Sequence, residues 1–173
     1  HRAHPGVVVS MATEEDTASV VEALRAGRAD LALCVLDGVP SDLRSIELPP
    51  QRFVAVAHAD AADGDLDALL RASTLVTLPT GTSMRSMADQ VYRRRRVAPP
   101  RVMTTTQRDS LVRLALAVGG ITIVPDVFGG LAHALGGRSL ELDDQPTRPV
   151  GVLHTAEARR NPALDAVLAI LGG

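Results

Sequence analysis

Residues 114–125 read LALAVGGITIVP, a stretch that combines an apolar run, two glycines, a β-branched run and a proline. The apolar run extends a helical pattern over Asp109–Val118, whereas Ile121–Val124 has the composition of a buried strand. Gly119 and Gly120 allow the sharp reversal between them, because glycine adopts positive φ without steric cost. The stretch holds no acidic or basic side chain. It therefore predicts a helix–turn–strand step of an α/β protein.

The same alternation of short strands and helices continues on both sides of this stretch, which predicts an α/β protein with mostly parallel sheets. The predicted strands are Val7–Met11, Leu31–Leu36, Phe53–Ala57, Thr74–Leu78, Val102–Thr105, Ile121–Val124, Ser139–Leu142 and Val150–His154. Helices are predicted after Asp16, over Asp65–Ala72, from Met84, over Asp109–Val118, near Val127–Ala134 and from Pro162. Asp37–Pro50 is predicted to be a loop or a ragged edge.

Capping residues mark several helix ends. Thr13 and Asp16 have the spacing of a capping box at the start of the first helix. Gly27 stands where a glycine commonly ends that helix. Asn161 and Pro162 are suited to the N-cap and first position of the last helix.

Composition excludes several classes of function. The 173 residues are 46% hydrophobic and 2% aromatic, with a net charge of -2. A membrane span needs about 20 consecutive apolar residues, and no run approaches that length. The balanced charge does not indicate nucleic acid or an anionic membrane as the partner. The scarcity of aromatic side chains argues against stacking platforms for single-stranded nucleic acid.

No enzyme motif is present in the sequence. The patterns G-x-S-x-G, G-x-x-x-x-G-K-[ST] and G-x-G-x-x-G are all missing, and the five histidines do not form a metal-binding spacing. The single cysteine, Cys34, lies in a buried strand pattern and is interpreted as an inert core thiol in a reducing compartment. The basic run Arg93–Arg96 is interpreted as a solvated helix end, the alternative being a nucleic-acid patch. We therefore predict a non-enzyme without metal or cofactor.

Several motifs, in order along nearly the whole chain, resemble the effector-binding domain of LysR-type transcriptional regulators. They are His4-Pro5-Gly6-Val7, Gly27-x-x-Asp30-Leu31-Ala32-Leu33, Phe53–His58, Gly81–Arg85 and Ala117–Pro125. Val118 departs from the family pattern, which usually has its first glycine there, and Ala59 replaces the usual proline after histidine.

The resemblance implies two Rossmann-like lobes joined by two crossover strands, the type II periplasmic-binding-protein-like fold. Lobe I would comprise residues 1–56 and 151–173, and lobe II residues 57–150. The resemblance also implies that the first strand and helix of the effector domain, and the N-terminal DNA-binding part, lie outside this sequence. It further implies a bacterial, cytoplasmic homodimer or tetramer that senses a small effector in the cleft between the lobes and contacts DNA only through that other domain.

Eight residues are candidates for effector binding. They are Thr82, Ser83, Thr104, Thr105, Gln51, Arg52, Thr13 and Val35. Thr82 and Ser83 stand at a predicted helix N-terminus, which favours an anion such as a carboxylate, although a hydroxyl there also serves as a cap. Thr104 and Thr105 end a strand, Arg52 could pair with a carboxylate, and Val35 would supply an apolar wall.

Two other classes of protein share this two-lobe architecture. A solute-binding protein of a transport system would carry a secretion signal upstream, whereas a regulator would carry a helix-turn-helix. A small enzyme acting in the cleft would need a cluster of ionisable side chains there, and the candidates are mostly hydroxyls.

Overall fold

The computed structural model describes residues 4–14, 16–61, 65–158 and 161–171. The helices are α1 (Thr17–Arg25), α2 (Leu66–Ala72), α3 (Ser83–Arg94), α4 (Leu111–Ala117), α5 (Gly129–Ala134) and α6 (Pro162–Leu171). The strands are β1 (Ala32–Val35), β2 (Arg44–His58), β3 (Leu75–Thr77), β4 (Val102–Thr104), β5 (Ile121–Pro125), β6 (Gly137–Leu140) and β7 (Thr147–His154). Short 3₁₀ turns, Arg108–Ser110 and Asp126–Phe128, precede α4 and α5.

The chain divides into two compact units. Unit 1 comprises residues 1–50 and 148–173, and unit 2 comprises residues 51–147. The boundaries therefore fall at 50/51 and 147/148, where the sequence predicted 56/57 and 150/151. The first boundary is earlier because Phe53–Ala57 pairs with β5 and belongs to the unit 2 sheet.

Unit 1 is built around β7. β1 pairs with it in antiparallel orientation, with Leu33 opposite Val152 and Ala32 opposite Leu153. Because successive side chains of a strand point to opposite faces, Leu153 packs in one cluster with Val21 and Leu24 of α1, and Val152 packs in another with α6. The residues of α6 in that second cluster are Leu164, Leu168 and Leu171.

Unit 2 is a five-stranded mixed sheet with helices on both faces. β2 pairs antiparallel with both β5 and β6, and β3 pairs in parallel with both β4 and β5. Alternate residues of β2 face opposite sides. Phe53 and Ala55 pack with α2 and α3, whereas Val54 and Val56 pack with α4 and α5. The continuous apolar runs of the sequence thus correspond to strands covered on both faces.

The two glycines of the opening stretch have different roles. Gly119 has φ +62 and makes the reversal. Gly120 permits a close approach, because a Cβ on it would lie 2.6 Å from the Thr74 carbonyl oxygen. That carbonyl accepts a hydrogen bond of 2.9 Å from the Ile121 N–H, which is how β5 is docked beside the start of β3. The predicted helix–turn–strand step is confirmed, with positive φ at the first glycine only.

Three predictions of local structure are wrong. Val7–Met11 is not a strand, and its residues Val8 and Met11 are each 92% exposed, because the structure describes no strand alongside to pair with them. Thr13 does not cap α1. The helix begins at Thr17, and Asp16 is its N-cap because its Oδ1 accepts a hydrogen bond of 2.8 Å from the Ser19 N–H.

The third correction concerns Asp37–Pro50, predicted to be a loop or a ragged edge without a regular strand. Its second half belongs to β2, which begins at Arg44. The sheets are also less uniformly parallel than predicted, because β2 and β7 pair in antiparallel orientation with their neighbours.

Candidate functional site

The carboxyl ends of three parallel strands meet at one edge of the unit 2 sheet. Thr77 at the end of β3 lies opposite Thr104 at the end of β4, and β5 runs parallel to β3. Pro125 at the end of β5 lies opposite Phe53, near the point where β2 enters unit 2. Ligands of α/β sheets bind outside the carboxyl ends of strands. We call this edge the carboxyl edge; it comprises residues 51–52, 78–83, 104–106 and 125–126.

The start of α3 lies at the carboxyl edge, directly after the β3 loop. Thr82 is its N-cap, with Oγ1 accepting a hydrogen bond of 3.3 Å from the Arg85 N–H and donating one of 2.8 Å to the Pro79 carbonyl. Ser83 is the first helical residue and is exposed. The first turn holds no acidic side chain, so the positive end of the helix dipole is not offset within that turn. The arrangement has the electrostatics of an anion site.

Threonines lie at the end of the neighbouring strand, β4. Thr104 is the last residue of β4 and is exposed. The Thr105 N–H donates to the Thr77 carbonyl over 3.1 Å, and its Oγ1 accepts from the Gln107 N–H over 3.1 Å. β4 and β3 are adjacent strands, so these threonines and the loop that leads into α3 lie at the same edge of the sheet.

An ion pair stands at the other side of the carboxyl edge. Arg52 Nε lies 3.2 Å from Oδ2 of Asp126, which begins the 3₁₀ turn after β5. Gln51, beside Arg52, is half-buried. Sequence reasoning missed Asp126. The one signal in the sequence was the position of this acidic residue directly after a buried strand. Its ion-pair partner, Arg52, could not be predicted without the β2–β5 register.

The other two predicted residues belong to unit 1. Thr13 is exposed and precedes α1. Val35 is half-buried at the end of β1, opposite Val150. Unit 2 therefore contains six of the eight predicted residues, namely Gln51, Arg52, Thr82, Ser83, Thr104 and Thr105.

The basic run after Tyr92 is not simply a solvated helix end. The side chain of Arg95 is 14% exposed and lies 2.8 Å from carboxylate oxygens of both Asp67 and Asp143. Burial by itself would lower the pKa of Arg95, but these two carboxylates raise it above its ordinary value. The solvated interpretation is therefore wrong for Arg95, which links secondary-structure elements through ion pairs.

Burial affects two further ionisable side chains, Cys34 and Tyr92. Burial raises the pKa of the Cys34 thiol, which disfavours the reactive thiolate. Burial likewise raises the pKa of Tyr92. Across the described residues, no three histidine, cysteine or acidic side chains are grouped closely enough to hold a metal ion. None of the described helices is long and apolar enough to cross a membrane.

Two grooves lie on the surface of unit 2. The larger, of about 450 Å³, is lined by Leu75, Arg85, Asp89, Tyr92, Arg93, Val97, Ala98, Pro99 and Val102. The smaller, of about 290 Å³, is lined by His58, Arg113, Leu116, Ala117 and Leu135. Neither groove includes a predicted effector residue. The carboxyl edge is therefore a candidate because of its hydrogen-bonding groups and helix dipole, and not because of cavity volume.

Residues 1–173 match the family model described as the LysR substrate binding domain. The chain belongs to this family, and its fold is the type II periplasmic-binding-protein-like fold. It is a LysR-family effector-binding regulatory domain. This assignment agrees with the resemblance carried by the sequence motifs.

Solved structures show the same fold. The regulatory domain of CcmR from Synechocystis PCC6803 in complex with 2-PG has a TM-score of 0.77 and 18% identity, over 99% of this chain and 85% of that one. The effector-binding domain of QuiR in complex with shikimate has a TM-score of 0.67 and 20% identity, over 87% and 73%.

A Corynebacterium glutamicum OxyR C206 mutant has a TM-score of 0.70 and 22% identity over 90% of this chain. The chain spans about half the length of that protein, 51%. A search of curated proteins found no match.

Proposed function

We propose that this domain senses a small anionic metabolite for a LysR-family DNA-binding transcription regulator. The ligand would bind at the carboxyl edge of unit 2. The observation that carries the proposal is the start of α3. Its first turn has no acidic side chain, and the strand before it, β3, pairs with β4, whose last residue is Thr104.

The groups at the start of α3 and the end of β4 have separate tasks in this proposal. The exposed Ser83 hydroxyl and the first N–H groups of α3 hydrogen-bond the ligand carboxylate, with the helix dipole adding attraction. The Thr104 side chain, on the neighbouring strand, contacts the rest of the ligand. Thr82 contributes chiefly by holding the helix start in place, because its hydroxyl already bonds Pro79 and Arg85.

Two of the structural neighbours support a small-molecule ligand. QuiR and CcmR domains of this fold are solved with shikimate and with 2-PG. At identities of 20% and 18%, these structures indicate only that the fold is shared. The ligand class proposed for this chain is therefore argued from its own residues. Signalling requires that the effector bind one conformation more tightly than another, since equal affinity shifts nothing.

The test begins with a thermal-shift screen of small carboxylates, because a true ligand stabilises the folded state by mass action. The best compound is then titrated by calorimetry into wild type, Ser83→Ala and the control Ser45→Ala, a serine exposed in the unit 1 part of β2. We expect Ser83→Ala to weaken binding by about 1–3 kcal/mol, the cost of leaving a charged group without one hydrogen bond. Equal affinities for the three proteins would contradict the assignment of Ser83.

The alternative is a solute-binding protein of a transport system with the same two-lobe fold. The match to the LysR substrate binding domain favours the regulator. Sequencing the coding region upstream of His1 separates the two. A helix-turn-helix followed by a linker helix supports the regulator, and a signal peptide supports the transporter component.

The proposal also includes partners and location. We propose a cytoplasmic homodimer or tetramer that needs no cofactor, catalyses no reaction, and reaches DNA through a separate N-terminal domain. Sedimentation equilibrium of the protein carrying that N-terminal domain tests the oligomeric state. A monomer at micromolar concentration would contradict this part of the proposal.

A further inference from the structure

The Arg52–Asp126 ion pair places a carboxylate at the edge proposed to bind an anion. Arg52 lies where β2 enters unit 2 and Asp126 follows β5, and the Phe53–Pro125 register makes them neighbours. The contact joins Nε of Arg52 to Oδ2 of Asp126 over 3.2 Å. It uses one nitrogen of the guanidinium and one oxygen of the carboxylate.

This pair changes the electrostatics that a ligand meets. The Asp126 carboxylate already offsets the charge of Arg52, so a plain anion gains little from the arginine. β5 pairs in parallel with β3, so Asp126 and the loop that leads into α3 leave the sheet at the same edge. A ligand carboxylate at the start of α3 is attracted by the helix, but close to Asp126 Oδ1, the oxygen that Arg52 does not contact, it meets a like charge.

A hydrogen-bond donor on the ligand resolves this conflict. In the described part of the chain, Asp126 Oδ1 has no hydrogen-bond partner, and the side chain is 34% exposed. A hydroxyl or ammonium group near the ligand carboxylate would donate to that oxygen. When a ligand without such a donor covers Asp126, the carboxylate loses its hydrogen bonds to water and forms none in their place. Sites built to bond an OH or NH group therefore discriminate strongly against analogues that lack that group.

We propose that Asp126 is the specificity-determining residue of this site, and that it selects 2-hydroxy or 2-amino carboxylates over plain carboxylates. This inference rests on the proposed function, because it assumes that carboxylates bind at the carboxyl edge. Discrimination arises from two opposite effects. Asp126 bonds the donor of the right ligand and repels the anion of the wrong one.

The test uses ligands that share a carbon skeleton and differ in one substituent. Propionate, lactate and alanine form one set, and succinate, malate and aspartate form another. Each is titrated by calorimetry into the folded domain, with thermal shift at up to 50 mM as a second readout. In at least one set, we expect the hydroxy or amino acid to bind wild type at least tenfold more tightly than the plain acid.

Substitution of Asp126 then tests the cause. Asp126→Ala is expected to reduce the preference to less than threefold and to tighten binding of the plain acid. Asp126→Glu keeps the charge and is expected to keep a preference. Asp60→Ala is the matched control, because Asp60 is exposed and follows β2 at its other end, beyond His58. It should bind every ligand as wild type does.

The outcomes distinguish the two levels of the proposal. If plain acids bind wild type as tightly as their hydroxy and amino partners, or if Asp126→Ala keeps the full preference, the role of Asp126 is overturned. If no acid of either set binds wild type or Asp126→Ala, the proposal of a small-carboxylate site at this edge is overturned, and the selectivity with it.

Discussion

Nη1 of Arg95 lies 2.8 Å from Oδ1 of Asp67, so the C-terminal end of α3 is fastened to the first turn of α2. The Nη2 atom of the same arginine lies 2.8 Å from Asp143, and the adjacent Arg94 lies 2.8 Å from Asp144. Two consecutive arginines thus hold the segment that precedes β7. The helix that begins at the proposed ligand site ends at these ion pairs.

We therefore expect Arg95→Gln to destabilise the protein by about 2 kcal/mol, because it removes charged hydrogen bonds from a mostly buried side chain. Arg93→Gln is the control, since Arg93 is exposed and its replacement should cost less than about 0.5 kcal/mol. Urea unfolding followed by circular dichroism measures both. Equal midpoints for the two variants would show that the Arg95 contacts contribute nothing.

The two glycines of the β5 turn should respond differently to alanine. Gly120→Ala places a Cβ 2.6 Å from the Thr74 backbone oxygen, which requires the backbone to move. Gly119→Ala has open space but φ +62, and a left-handed alanine costs about 1–2 kcal/mol. We expect Gly120→Ala to be the more damaging, at about 3 kcal/mol. Gly130→Ala, which has neither constraint, is the control. If thermal unfolding gives Gly120→Ala the same melting temperature as Gly130→Ala, the close packing of Gly120 against the Thr74 backbone oxygen is contradicted.

The cap of α1 should make a pH-dependent contribution to stability. The hydrogen bond from the Ser19 N–H lowers the pKa of Asp16 below its ordinary value of 3.8. The folded state therefore binds this proton less readily than the unfolded state, and stability increases with pH across that range. We expect Asp16→Ala to lower the melting temperature at pH 7 and to have less effect as the pH falls below 3.8. If Asp16→Ala lowers the melting temperature equally at pH 7 and below pH 3.8, the ionised Asp16 cap is not responsible for the loss.

Two substitutions of Thr82 measure how much the cap of α3 contributes to stability. Thr82→Ala removes the acceptor for the Arg85 N–H and should cost about 1 kcal/mol of stability. Thr82→Ser keeps the hydroxyl and should restore it. Chemical denaturation of the two variants measures this difference. Equal losses in both would assign the effect to the threonine methyl group instead of the cap.

Local periodicity was sufficient to predict most elements of the fold. The helical spacing of Met84, Met87 and Val91 predicted a buried face of α3, and all three are buried. The alternation along the chain likewise predicted the α/β class. These features were predictable because they depend on neighbours within one or two helical turns or along a single strand.

The failures concern features that depend on distant residues or on competition between local ones. A β-branched run such as Val7–Met11 becomes a strand only with a partner beside it. Thr13 and Asp16 are both suitable caps, and the sequence pattern could not choose between them. Asp126 was missed because its contact with Arg52 spans 74 positions and depends on the pairing of β2 with β5.

The proposed site requires that a small anion bind where α3 begins. The most direct measurement is an amide chemical-shift titration of the ¹⁵N-labelled domain with the best carboxylate from the screen. Binding at the start of α3 should give saturable shifts concentrated at residues 80–84, 104–107 and 126. Shifts concentrated instead along the groove lined by Asp89, Arg93 and Val102 would contradict it.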